Sequence, residues 1–271
     1  DLDTLNHNSK QYIHILSEIE KRVYADRAMH LGDKDYYNVP TNKLLDYHYN
    51  KTRAEQINLN QATPSNEISH GQFNDNESEE TTHFSIIDNN GNAVSITTTL
   101  NTNYGSKMFV NNRGFLLNNE MDDFSAKPGT PNTYGLLGSE ANAIEAGKRM
   151  LSSMTPTILE KNGNLFLVLG TPGGSTIITS VFQTILNIIL FDMDVDSAVN
   201  TKRFHHQWKP EYIYMEDPLY CKKLEDELSK MGHTVKTRSS IGHVNAILYN
   251  HNKVSVAADK RGDNKAQLLN K

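Results

Sequence analysis

Glu80-Thr81-Thr82-His83 is the stretch on which the reading of this chain turns. Before it lies Asn60–Glu80, a polar, acidic run with Pro64, Gly71, several Asn, Ser and Glu, and almost no apolar side chains. That composition reads as a mobile loop or linker. After it, with no turn residues between, apolar and polar residues begin to alternate, the pattern of a strand with one buried face. Thr81 stands on the seam. A Thr hydroxyl is a weak nucleophile at neutral pH and needs a base. A Thr at a chain terminus carries its own, an α-amine with a reference pKa of about 8. Self-cleavage needs a leaving segment that can move away and a nucleophile on a rigid sheet, and the seam has both. It is read as a cut between Glu80 and Thr81 that frees Thr81 as an N-terminal nucleophile. The plainer reading is a Thr that only starts a strand, which its β propensity favours.

Downstream, Thr82–Ile87 and Ala93–Leu100 alternate as strands about Asn89-Asn90-Gly91-Asn92, a strong hairpin signal. A tight turn there returns Thr99 and Asn101 beside Thr81. One residue of register decides whether they share its face. Phe115–Leu117 is a short strand running into Asn118-Asn119-Glu120-Met121-Asp122-Asp123. The Pro- and Gly-rich loop Lys127–Gly138 suits a lid. A second hairpin is expected from Met154–Leu159 and Asn164–Leu169, and a third from Val244–Tyr249 and Lys253–Ala257. Gly170-Thr171-Pro172-Gly173-Gly174-Ser175 leads into a long helix from Thr176. Asp196–Asn200 and Leu219–Met231 read as further helices.

Upstream, Ser9–Leu31 reads as an amphipathic helix with Tyr12, Ile15, Leu16, Ile19 and Val23 at helical spacing and Gly32 at its stop. Thr41–Ile57 is expected as one helix with Thr41 as N-cap. Neither has a covering partner within the first 80 residues, so both must pack on later sequence or on sequence outside this chain. The chain opens Asp1-Leu2-Asp3, as if cut from a longer protein, with no signal segment at its start.

The 271 residues suffice for one large domain or two small ones. A net charge of −5, with no dense Lys/Arg cluster, argues against nucleic acid or an anionic membrane as partner. A single cysteine, Cys221, excludes a disulfide framework. The longest apolar run, Ile177–Phe191, is interrupted by Thr, Ser, Gln and Asn and is too short for a membrane span.

Three constellations carry chemistry. Glu120, Asp122 and Asp123 at a strand end can hold an ammonium, a metal or protons, although an acidic surface loop is the plainer alternative. No His or Cys stands nearby in ligand spacing, so no metal site and no cofactor are expected. Gly173-Gly174 before a helix expose backbone N–H groups that can hold an oxyanion, whereas the lack of a Lys after the glycines speaks against a phosphate loop. Ser152-Ser153 can bind a carboxylate, or can be plain turn residues.

Taken together these stretches resemble the γ-glutamyltransferase (γ-glutamyl transpeptidase, glutathione hydrolase) family. Thr81-Thr82-His83-Phe84-Ser85 resembles the start of its small subunit. Thr97–Asn101, Leu117–Ser125, Pro128-Gly129 with Asn132 and Tyr134-Gly135, Leu151–Met154, Gly170–Ser175 and Arg203–Trp208 follow in family order. Tyr24-Ala25-Asp26-Arg27 with Leu31-Gly32-Asp33 resembles the end of the large subunit. The resemblance implies an α+β fold, the N-terminal-nucleophile (Ntn) hydrolase αββα four-layer sandwich, incomplete here because most of the large subunit is missing. Residues 1–80 would be the end of the large subunit with a flexible linker, and 81–271 the small catalytic subunit.

By the same resemblance, a proenzyme is cut between Glu80 and Thr81. Thr81 attacks the γ-glutamyl amide of glutathione or related compounds, and the acyl group passes to water, an amino acid or a dipeptide. Thr99 orients Thr81. Asn101, Glu120 and Asp123 hold the substrate α-ammonium, and Ser152 and Ser153 its α-carboxylate. Gly173 and Gly174 form the oxyanion hole. Tyr134 sits in the lid and reaches toward Asn101. The remainder of the large subunit is the expected partner and brings an Arg for the carboxylate that no motif here supplies. A periplasmic or extracellular location is implied. Asp259-Lys260-Arg261 stands where the family usually has Asp-Pro-Arg. Two rivals share the pattern: a β-lactam acylase of the same fold, which would not need two carboxylates for an ammonium, and an inactive remnant.

Overall fold

The structure is a computed structural model that describes residues 2–69, 81–217, 219–250 and 253–269. Its helices are α1 (Lys10–His30), α2 (Thr41–Leu44), α3 (Tyr47–Glu55), α4 (Ile177–Ile189), α5 (Val195–Asn200) and α6 (Lys222–Lys230). Its strands are β1 (Thr82–Ile87), β2 (Ala93–Thr98), β3 (Phe109–Val110), β4 (Phe115–Leu116), β5 (Thr157–Lys161), β6 (Asn164–Gly170), β7 (Phe204–His205), β8 (Ile213–Glu216), β9 (Val235–Arg238), β10 (Asn245–Asn250) and β11 (Lys253–Ala258). Two compact units share them. The first takes its described residues from Asp1–Ser78, Asn119–Ser152 and Phe204–Arg238, the second from Glu79–Asn118, Ser153–Arg203 and Ser239–Lys271. The division expected at residue 81 concerns how the chain is cut. The units divide by contact, and both draw on residues beyond 81.

In the first unit α1 is the spine. Ser9 caps it, accepting the Tyr12 N–H at 3.3 Å. The helix is not amphipathic in the simple sense expected: Val23 is 49% exposed, while Glu18, Glu20, Lys21, Arg22 and Arg27 are buried. Glu18, Glu20, Lys21 and Arg22 are tolerated there because each has a partner. Glu18 accepts from Arg22 at 2.8 Å and forms an ion pair with Lys21. Glu20 receives the His206 backbone N–H at 2.8 Å. Apolar contact is added by Tyr12 edge-on to Phe204, with ring centroids 6.2 Å apart. The sheet beside α1 has the order β7-β8-β9, with β8 and β9 parallel and α6 as the crossover between them. These three short strands lack the alternation that marks a strand in sequence, and sequence reasoning missed them.

The helix expected over Thr41–Ile57 is two helices. Asp46 breaks it by capping α3, its carboxylate accepting the Tyr49 N–H at 2.8 Å, and Pro40 rather than Thr41 occupies the N-cap of α2. The linker expected from Asn60 is anchored over the part that is described. Ala62 N–H donates to Met231 O at 2.6 Å, Lys21 Nζ to Thr63 O at 2.6 Å, and Trp208 Nε1 to Ser65 O at 2.8 Å. The remainder, His70–Glu80, lies outside the described residues.

The second unit holds the stacked sheets. β11-β10-β6-β5 is a four-stranded antiparallel sheet, and the β1–β2 hairpin packs over β6, β10 and β5. On the other side α4 and α5 close a core of Leu167, Leu169, Val181, Ile188, Val195, Val199, Val244 and Ala246. β5 begins at Thr157 rather than Met154, directly after Pro156, which has no N–H to give a ladder. The layers in this unit run hairpin, sheet, helices. The outer face of the hairpin presents Phe84, Ile86, Val94 and Ile96 at 40–53% exposure, with Phe84 opposite Ile96 and Ile86 opposite Val94. Its inner face carries His83, Ser85 and Thr97.

Candidate active site

The residues expected at the site fall into both units and are described within each. Thr81, Thr99, Asn101, Ser153, Gly173 and Gly174 belong to the second, and Glu120, Asp123, Tyr134 and Ser152 to the first. Glu80, the other half of the expected cut, lies outside the described residues.

In the second unit the hairpin register answers the question the sequence left open. Thr82 pairs Thr98 and His83 pairs Thr97, so one step further Thr81 faces Thr99. The Thr81 hydroxyl donates to Thr99 Oγ1 at 3.2 Å. The same Thr99 oxygen accepts the Asn101 N–H at 2.9 Å. Asn101 is buried with φ +76°, a left-handed conformation that Asn adopts more readily than most side chains. The chain thus turns at Asn101 immediately after β2, and one hydroxyl ties the turn to the nucleophile candidate.

His83, two residues from Thr81, is the obvious rival as a base, and its environment removes it from that role. Its Nδ1 bonds to Thr97 Oγ1 at 2.8 Å and its Nε2 to Ser85 Oγ at 2.9 Å. Burial pulls its pKa down to about 4, so the ring is neutral at neutral pH. Gly170 is required beneath it, since a Cβ there would lie 2.2 Å from His83 Cε1.

Gly173 and Gly174 occupy the turn between β6 and α4, with φ +138° and +52°. A Cβ on Gly173 would meet Thr176 Oγ1 at 2.7 Å and Gly242 Cα at 3.2 Å. Both glycines are thus demanded by conformation and the first also by space. The turn at Gly242 is held by Arg203, whose Nη1 donates to Ile241 O and to Asp259 Oδ2, each at 2.9 Å. Arg261 Nη1 completes the network on Asp259 Oδ1 at 2.9 Å. Sequence reasoning noted Arg203 and Asp259-Lys260-Arg261 as motifs but saw no role for them; two Arg around one Asp, 56 and 2 residues away, is visible only in three dimensions.

In the first unit Glu120–Asp123 form a single 3₁₀ turn. Burial raises the pKa of Glu120. Burial raises Asp123 further, to about 7, with Glu120 and Asp122 adding to the rise and Arg27 opposing it. A carboxylate so disfavoured gains the most from a cation placed against it. Asn142 Nδ2 holds the Asp123 backbone carbonyl at 2.7 Å, and Asn142 Oδ1 accepts the Leu151 N–H at 2.9 Å, one residue before Ser152. Tyr134 is buried. Its N–H donates to Asn132 Oδ1 at 3.0 Å and its carbonyl accepts from Gln207 Nε2 at 2.9 Å. The expected lid is therefore pinned at Tyr134 and closed on itself from Gly129 N–H to Gly138 O at 2.9 Å. Ser152 and Ser153 are half-buried. Arg149 is committed to a neighbouring carboxylate and not to a substrate. Its Nε donates to Asp33 Oδ2 at 2.8 Å and its Nη2 to Asp33 Oδ1 at 2.5 Å, an arrangement that holds the Asp33 carboxyl well below its usual pKa.

Among the described residues, the only three donors close enough together to suggest a metal are His14, Glu18 and His233. Each is already engaged. His14 Nδ1 bonds His233 Nε2 at 2.7 Å, His14 Nε2 bonds Asn58 O at 2.7 Å, and the Lys21 ammonium neutralises Glu18. A metal ion would have to displace that ammonium.

The γ-glutamyltranspeptidase family model matches residues 1–269. The chain belongs to the γ-glutamyltranspeptidase family. A glutathione hydrolase proenzyme from Pseudomonas aeruginosa is 49% identical over 259 residues, 94% of this chain and 46% of that protein. The family member from Pseudomonas nitroreducens, solved in complex with L-DON, is 48% identical with a TM-score of 0.67 over 70% of this chain and 100% of that one. A cephalosporin acylase from Bacillus halodurans shares the fold at 18% identity, with a TM-score of 0.73 over 96% of this chain and 49% of its own. The fold is that of the Ntn hydrolases, and the chain covers part of it. It spans just under half the length of the curated relatives it matches. The family member shared with this chain at close to half identity outweighs the acylase, whose likeness extends to the fold alone.

Proposed function

We propose that the full protein transfers or hydrolyses γ-glutamyl groups, with Thr81 as an N-terminal nucleophile freed by cleavage after Glu80. The observation that carries this reading is the bond from the Thr81 hydroxyl to Thr99. It fixes the hydroxyl at a strand start, where a new α-amine would lie on the same residue and serve as its base. Thr81 Oγ1 attacks the γ-carbonyl carbon, and the developing oxyanion is met by backbone N–H groups at Gly173-Gly174. Collapse expels the amine of the donor, protonated by the α-ammonium of Thr81, and leaves the γ-glutamyl ester on Thr81. Water or the amine of an amino acid or dipeptide then takes the acyl group.

Asn101, Glu120 and Asp123 hold the donor α-ammonium, and Ser152 and Ser153 its α-carboxylate, together with an Arg from the rest of the large subunit. Tyr134 belongs to the lid. Glutathione and related γ-glutamyl compounds are the donors, in the periplasm or outside the cell. The rest of the large subunit also has a surface to cover, the apolar outer face of the hairpin, which is of the kind that an internal layer of a sandwich presents. Residues 1–80 end the large subunit and 81–271 form the small one.

The test is Thr81→Ala in the full-length protein, followed by denaturing gels, N-terminal sequencing and turnover of γ-glutamyl-p-nitroanilide. Loss of both cleavage and turnover is expected. Cleavage before residue 81 in the Ala protein would show that an outside protease makes the cut. A wild-type protein faster on glutaryl amides than on γ-glutamyl amides would favour an acylase.

A further inference from the structure

Asn142 is the last residue of the 3₁₀ turn Glu140–Asn142 and is buried to 4% exposure. Its side-chain amide has two partners. Nδ2 donates to the carbonyl of Asp123 at 2.7 Å, and Oδ1 accepts the N–H of Leu151 at 2.9 Å. Reversing the amide would set donor against donor and acceptor against acceptor, so the partners fix its orientation. Asp123 ends the acidic turn, and Leu151 immediately precedes Ser152. One buried side chain thus spans from the backbone of the residue read as ammonium-binding to the backbone beside the residue read as carboxylate-binding.

The plainer role for Asn142 would be to close the loop that runs back to Ser125. Backbone groups already do that. Ser125 N–H donates to Asn142 O at 2.9 Å, and Ser125 pairs with Ala143 in an isolated parallel bridge. The side chain is left for the longer connection, and it stands on a fixed base. Ser139 Oγ donates to Met29 O at 2.8 Å, and a Cβ on Gly32 would lie 2.1 Å from Ala141 O, so the turn is pressed against the end of α1. The segment leading to Ser152 is held from a second point as well: Asp33 Oδ2 accepts the Arg149 N–H at 2.9 Å. The N–H groups of Arg149 and Leu151 are therefore both taken by side chains, and the approach to Ser152 is fixed without a sheet.

An α-amino acid carries its ammonium and its carboxylate on one carbon, so a site that grips both must hold its two halves at one spacing. We propose that Asn142 is a positioning residue that sets the spacing between the ammonium half of the donor site, at Asp123, and the carboxylate half, at Ser152. The proposal rests on the reading of those two residues as donor-binding and adds the residue that couples them. Asn142 acts through the backbone of its partners and not on the donor itself. A ligand with both groups needs the spacing to be right. A ligand with one group follows its own half of the site wherever that half settles.

The experiment uses the full-length processed enzyme with γ-glutamyl-p-nitroanilide as donor, in wild type, Asn142→Leu and Asn142→Ala. Competitive inhibition constants are measured for L-glutamate, for glutarate, which lacks the α-ammonium, and for 4-aminobutyrate, which lacks the α-carboxylate. Leu nearly keeps the shape and removes both bonds, whereas Ala leaves room for water on the freed backbone groups. In both variants the constant for L-glutamate and the KM of the donor are expected to rise about 10- to 100-fold, the scale of a misplacement of about 1 Å. The constants for glutarate and 4-aminobutyrate change less than about threefold, and kcat changes far less than KM. A comparable loss for either partial ligand, or no loss for L-glutamate, overturns the proposal. So does failure of both variants to fold, which would make Asn142 a structural residue only. The underlying reading fails separately: a wild-type enzyme that binds L-glutamate no more tightly than glutarate and 4-aminobutyrate has no ammonium and carboxylate halves to space.

Discussion

Asp123→Asn should make the protein more stable at alkaline pH while it weakens donor binding, and the size of the gain follows from the site. The folded-state pKa of Asp123, about 7, lies above the ordinary Asp value of 3.8. Between those values the native protein holds a proton that the unfolded chain has released. Stability therefore falls as pH rises through this window, and the loss is complete above it. A rise of about 3 units corresponds to about 4 kcal/mol. About a third of that is already in force at pH 5. Partial exposure of Asp123 and screening by solvent reduce the remainder to roughly 2 kcal/mol between pH 5 and pH 8. Asn has nearly the same shape and no charge, so it escapes the loss. For a chain of this size 1 kcal/mol is worth roughly 2–4 °C of thermal midpoint. Calorimetric scans of wild type and Asp123→Asn should show a gap wider at pH 8 than at pH 5 by roughly 4–8 °C, with Asn the more stable. A gap that is the same at both pH values, or one in favour of Asp at pH 8, would refute the claim that the site strains its own carboxylate.

Two other perturbations bear on the second unit. Thr99→Val keeps the shape of the side chain but removes the acceptor that both Thr81 Oγ1 and the Asn101 N–H use; in the full-length enzyme turnover should fall about 10- to 100-fold, as expected for roughly 1.4–3 kcal/mol of lost hydrogen bonding, while an unchanged kcat would show that Thr99 does not orient the nucleophile. The hairpin face should bind a hydrophobic dye in this chain alone, and Ile86→Thr with Ile96→Thr should lower the signal while changing stability by less than about 0.5 kcal/mol per site; undiminished dye binding would place the exposed apolar surface elsewhere.

How far the sequence was legible depended on the range of the interactions. The hairpin around Asn90-Gly91 was readable because its determinants are local: alternation, a turn pair with the right conformational tolerance, and few residues between. Its register, which puts Thr81 opposite Thr99, needed coordinates, because one residue of slip leaves the same pattern in the sequence. The break at Asp46 was missed because a helix-interior Asp and a capping Asp look alike until the backbone is seen. The stripe expected on α1 holds at Tyr12 and Leu16 and is lost at Val23, and buried charges were not read at all, for a different reason. Periodicity counts apolar residues, and this helix buries Glu18, Lys21 and Arg22, which pair with one another and with Thr63, 42 residues beyond Lys21.

The hairpin that carries Thr81 also explains why the chain reads as part of a larger fold without any appeal to its length. In a hairpin that finishes a protein, apolar residues turn inward and polar ones outward. Here the order is reversed: His83, Ser85 and Thr97 face the four-stranded sheet and satisfy one another, while Phe84, Ile86, Val94 and Ile96 face out. The inner polar pairing gives a reason for the inversion. His83 reaches both Thr97 and Ser85 and leaves room only for Gly170 below it, so the inner face is specified by hydrogen bonds and close approach instead of by apolar burial. The outer face then retains the apolar surface that a further layer would bury. Four half-exposed side chains of this size, if fully covered, would each contribute roughly 1 kcal/mol or more. Covering them would also stiffen the strand that holds Thr81 against Thr99, so the geometry of the nucleophile and the completeness of the sandwich are one physical question.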